Sequence, residues 1–185
     1  MNVAAIYGWL AWALLVGAGI TFLPRCRRLP VAIGATGLAM VPVFAGESLA
    51  TALHGMFAAP SFTLVQLAFW RLTAPDRTGL MGRRSAAILL AAGFVFYPLA
   101  LGLGPLDPYG LGFQPLPLLA GLVPIAAWLA WRRQDAWLMV LGLDLFAYAG
   151  SLFANLWDAL IDPVLLVAAA ITLVISRRRP GRSDA

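Results

Sequence analysis

The chain has 185 residues, 62% of them hydrophobic and 11% charged, with a mean hydropathy of +0.86. No soluble domain of this size buries so much apolar side chain in one core, so the composition excludes an ordinary water-soluble fold. The net charge of +5 comes from arginines clustered between apolar runs, without interleaved aromatics, which excludes a nucleic-acid surface and marks them as topology determinants.

The expected architecture is all-α: a polytopic transmembrane bundle of about seven spans, forming one domain over residues 1–176 with a charged cytoplasmic tail over 177–185. Only Met1 and Asn2 precede the first apolar run, and the basic cluster follows it, the pattern of an uncleaved first span with its N-terminus outside. That span is Val3–Leu23, stopped by Pro24 and Arg25–Arg28. Cys26, the single cysteine, lies inside this cluster, so an internal disulfide is impossible; an inert loop thiol is the expectation. Val31–Gly46 is a second span with a kink expected at Pro42. Glu47–Pro60 is more polar, and Ser61–Leu72 returns across the membrane, short unless residues from Met56 onward join it.

The polar loop Thr73–Arg84 leads into a fourth span, Ser85–Leu103. Gly104–Pro117, rich in Gly and Pro, reads as a loop. Leu118–Trp131, Ala136–Asn155 and Leu160–Ser176 are the fifth, sixth and seventh spans. The arginine clusters at 25–28, 71–84, 132–133 and 177–182 all fall on one side of this plan, the cytoplasm by the positive-inside rule. Seven crossings, N-terminus out and C-terminus in, satisfy every cluster.

This topology gathers Glu47, His54, Asp107, Asp158 and Asp162 on the outer face. One histidine with several carboxylates is what a hydrolase, a metal site or a proton relay uses, so these five are the candidate catalytic residues. Glu47, Thr51 and His54 share one face if their segment is helical. The alternative for each is plain: outer carboxylates are commonly solvated, Asp107 and Asp162 precede prolines in turn or cap chemistry, and a lone histidine is often structural.

A second pattern starts in the sixth span and runs on past its end. Asp144, Tyr148, Ser151, Asn155, Asp158 and Asp162, spaced 4, 3, 4, 3, 4, project within an arc of roughly 80° on a continuous helix. Asp144 falls near mid-membrane, where a carboxylate needs a partner, a proton or water. Arg71 or a backbone carbonyl is the expected partner, and Tyr148, Ser151 and Asn155 are either a polar path or interhelical glue. No nucleotide, metalloprotease or nucleophile-elbow signature is present; no cofactor is expected and no metal is assigned.

The segments Tyr97-Pro98-Leu99-Ala100-Leu101-Gly102-Leu103-Gly104-Pro105-Leu106-Asp107-Pro108-Tyr109 and Asn155-Leu156-Trp157-Asp158-Ala159-Leu160-Ile161-Asp162-Pro163 resemble those of a group of small bacterial inner-membrane proteins. The resemblance implies a bacterial inner-membrane location and carries no activity. Three functions remain open: an accessory or assembly subunit docking another envelope or membrane protein, a membrane enzyme acting on a lipid-linked or envelope substrate, and a proton- or cation-coupled transporter.

Overall fold

The computed structural model describes residues 3–22, 29–44, 46–73 and 80–177. Cys26, the arginines at 25, 27 and 28, Arg77 and the tail from 178 lie outside the described residues. The fold is all-helical apart from one short hairpin. Helix α1 (Val3–Ile20) packs antiparallel along α2 (Leu29–Ala39), where Gly17 lets the helices close until Thr36 and the Ala32 carbonyl occupy the room of a side chain.

The apolar run after Val31 does not stay helical to Gly46. Helix α2 ends at Ala39, and Pro42 opens strand β1 (Pro42–Phe44), paired with β2 (Glu47–Ser48) around Gly46 at φ +87°. Proline biases the residue before it away from the α region, so Met40–Pro42 leaves the helix where a kink was expected. Helix α3 (Leu49–Phe57) follows, capped by Ser48, whose hydroxyl accepts from the Thr51 N–H.

The chain then breaks over Ala58–Ser61 and re-enters α4 (Phe62–Thr73). This twelve-residue helix is central: it packs against α1, α7 (Asp135–Ala149), α8 (Leu156–Leu160) and α9 (Pro163–Arg177), and buries Thr63, Leu64, Leu67, Ala68 and Arg71. Helix α5 (Arg83–Ala100) lies along α9, with Gly93 admitting Leu166. A 3-10 turn (Gly110–Gly112) precedes α6 (Pro115–Trp131), which buries only Leu118 and packs mainly on α7.

Three helix ends share one device. Leu103, Gln134 and Leu152 donate N–H bonds back to the Pro98, Leu129 and Ala147 carbonyls, around Gly102, Arg133 and Ser151 at positive φ. At Ser151 this stops α7 at Ala149, so the sixth span expected through Asn155 is shorter and the chain re-forms a helix only at Leu156.

Among the described residues, Val3–Ile20, Arg83–Ala100 and the stretch Leu156–Ile175 are long and apolar enough to cross a membrane. Outward-facing side chains remain strongly apolar, Phe94 (83% exposed) and Phe146 (77%) among them. The buried clusters centre on α4, α5 and α9, on α6 to α8, and on α1 to α3.

Candidate functional site

Three of the five residues of the predicted outer face, Asp107, Asp158 and Asp162, lie at two breaks in the helices. Over Ala58–Ser61 the backbone is irregular and passes from exposed Ala58 to buried Pro60 and Ser61, where polar groups without a helix partner need a side chain. Trp12 Nε1 donates to the Ala58 carbonyl at 2.8 Å and the Tyr7 hydroxyl to the Pro60 carbonyl at 2.9 Å. The Ser61 N–H donates to Asp162 Oδ2, and Ser61 Oγ accepts from Leu64 N, capping α4.

Asp162 is the N-cap of α9: Oδ1 accepts from the Leu165 N–H at 2.7 Å, with Pro163 at the first helical position. One buried carboxylate thus faces the first turns of both α4 and α9, where two sets of backbone N–H groups and two positive dipole ends converge.

The second break is the loop between α5 and α6. Asp107, exposed, accepts from the Gly110 N–H at 3.1 Å and shapes its own turn. Asn155, fully buried, caps α8 through the Trp157 N–H and donates Nδ2 to the Tyr109 carbonyl at 3.0 Å. Trp157 Nε1 donates to the Pro108 carbonyl at 2.7 Å while its ring lies 4.5 Å from that of Phe96. The Tyr109 hydroxyl donates to both Asp158 oxygens, at 3.1 and 3.3 Å. Burial, then the adjacent carboxylate, raises the phenol above its ordinary value, so it remains a donor. Asp107, Tyr109, Asn155, Trp157 and Asp158 therefore form one cluster, with Asp162 at the start of the following helix.

Glu47 and His54 do not join it by any hydrogen bond. Glu47 lies in β2, ahead of α3, so the shared helical face with Thr51 and His54 is not formed. Thr51 pairs with Ser48 at 2.7 Å. The His54 ring packs against Gly8, and its Nδ1 is buried without a hydrogen-bond partner among the described residues.

The six-residue seam is also divided, because α7 ends at Ala149. Ser151 is exposed at φ +59°, its role that of a helix terminator, and Tyr148 is half-buried. Asp144 is 1% exposed and receives Thr63 Oγ1 at 2.6 Å and Gln66 Nε2 at 2.8 Å; Gln66 also reaches the Val140 carbonyl at 3.3 Å. Both donors come from α4. Arg71, expected as the partner, instead donates to the Thr21 carbonyl at 3.4 Å and stacks over Phe22 at 5.4 Å.

Thr63 and Gln66 are not among the expected site residues, although two polar residues three apart in an otherwise apolar helix are a legible signal. Tyr7, Trp12 and Ser61 gave less: aromatic residues at helix ends are ordinary interface anchors.

No three His, Cys, Asp or Glu side chains among the described residues come together as a metal-binding group. The cluster can orient backbone, hold a loop over the bundle end and present one half-buried carboxylate, Asp158, beside a phenol. No family model, curated protein or solved structure matches the chain.

Proposed function

We propose that the chain is a multi-pass protein of a bacterial inner membrane, crossing seven times with its N-terminus outside and its C-terminus inside. In this reading it is a non-catalytic accessory or assembly subunit of an envelope process, and its partners are the lipid bilayer and another envelope or membrane protein. The orientation rests on the arginines, which alternate span by span. The short α4 suits a crossing because α1, α7 and α9 surround it and the irregular backbone before it is satisfied inside protein.

The observation that carries the accessory reading is the use of the polar side chains. Asp107, Asn155 and Asp162 bond backbone groups, Asn155 and Asp162 both near and distant ones, and Asp144 ties α7 to α4. A photo-crosslinking residue at exposed Leu106 or Phe113, beside the outer loop, tests it. The expected result is a discrete adduct with one envelope or membrane protein; adducts to lipid alone overturn it.

One observation favours the enzyme alternative. Asp158 is the outer carboxylate whose hydrogen bonds in the described structure come from a side-chain hydroxyl, not from backbone. Under that alternative Asp158→Asn abolishes function while abundance is kept; under the accessory reading function survives.

A further inference from the structure

A cleft of about 240 Å³ runs along the bundle between α1, α4 and α9. Its wall is apolar, with Trp12 and Gly19 from α1, Phe22 just beyond it, Ala68 from α4, Val164 from α9, and Leu80 ahead of α5. The volume equals that of roughly eight water molecules, enough for a run of methylenes and too little for a folded partner. Gly19 opens onto it: a methyl group added there would meet no atom.

Arginines neighbour two of its lining residues, Phe22 and Leu80. Arg71, three residues beyond Ala68 and on the same helix face, holds its guanidinium over Phe22. Three residues after Leu80, exposed Arg83 and Arg84 open α5, and neither makes a hydrogen bond or ion pair among the described residues. Two cations stand at the positive end of that helix dipole, and its first turn has no acidic residue and no side-chain cap. An anion beside this turn offsets both charges.

We infer that the cleft binds an anionic phospholipid, one acyl chain along the wall from Phe22 toward Trp12 and the phosphate beside Arg83 and Arg84. This rests on the membrane orientation proposed above, which places these arginines at the inner leaflet. Each arginine near an anionic headgroup strengthens binding about five-fold.

The test is native mass spectrometry of the full-length protein in detergent, titrated with phosphatidylglycerol or phosphatidylcholine of identical acyl chains. Wild type is expected to hold phosphatidylglycerol at least about five-fold more tightly. Arg83→Gln with Arg84→Gln, both at exposed positions, removes that preference, and Gly19→Leu, which fills the cleft, reduces binding of both lipids. Equal binding of the two lipids by wild type, or an unchanged preference in the double arginine variant, overturns the inference. So does a monodisperse Gly19→Leu protein that binds like wild type. If Gly19→Leu does not fold, the arginine pair decides alone. A C-terminal reporter separates the two ideas. A cytoplasmic signal without lipid preference overturns the cleft only, whereas a chain missing from the membrane fraction overturns the membrane reading.

Discussion

Asp162 accepts a hydrogen bond from the backbone N–H of Ser61, 101 residues earlier in the chain, while its other oxygen caps α9. The carboxylate therefore joins the break before α4 to the start of the last helix. Each N–H it satisfies is buried, so neither has water as an alternative.

Asp162→Ala is expected to lower stability by about 2–4 kcal/mol, the loss of one N-cap plus one buried donor left unpaired. Asp162→Asn keeps one acceptor oxygen and should lose about half as much. Thermal unfolding of the detergent-solubilised protein reads both. Equal stability of all three proteins would show that the tie between the two helices contributes nothing.

Asp144 separates structure from transport. Asp144→Leu leaves the Thr63 hydroxyl and one Gln66 donor facing an apolar side chain and is expected to cost about 1–3 kcal/mol. Asp144→Asn retains hydrogen bonding to both and should stay within about 1 kcal/mol of wild type. If Asp144 moves protons or cations, however, Asp144→Asn abolishes function at wild-type stability. Denaturant unfolding beside a growth or uptake assay distinguishes the outcomes.

Two glycines give opposite expectations. A methyl at Gly112 overlaps the Asn155 carboxamide and the Trp157 ring, so Gly112→Ala should destabilise by about 1–3 kcal/mol and make residues 104–113 more sensitive to protease. At Gly121, inside α6, the same methyl meets nothing and should stabilise by about 0.5–1 kcal/mol. Unfolding temperatures of the two variants, measured side by side, check the pair.

Ser151 holds a left-handed backbone conformation at φ +59° to end α7. Ser151→Gly should raise stability by about 1 kcal/mol, since glycine adopts this conformation without the Cβ penalty. Ser151→Val should lower it. If Ser151 instead acts through its hydroxyl on a polar path, both variants lose function together, which the same functional assay detects.

Insertion itself can be mapped. A reporter fused after residue 185 is expected in the cytoplasm and one placed between Leu106 and Asp107 outside. Both reporters on one side would remove the seven-crossing plan.

Composition alone set the expectation of a chain too apolar for an ordinary soluble core, because apolar area scales with residue type whatever the fold. Arginine spacing determined the expected orientation for a similar reason: charge is read loop by loop, without tertiary contacts. The Asp162–Pro163 cap was legible too, since its hydrogen bond spans only three residues. Where α7 stops was not: the polar period of 4, 3, 4, 3, 4 fits a continuous helix, yet Gly150–Ser151 terminates it with hydrogen bonds any carbonyl could accept. The partners of Asp144 were equally hidden, because Thr63 and Gln66 come within reach only when α4 lies against α7. Only the tertiary structure decided that Asp162 serves two helices and that Glu47 and His54 form no hydrogen bond to the acidic cluster. A side chain's partner is fixed by how helices pack, and packing depends on contacts that no local pattern encodes.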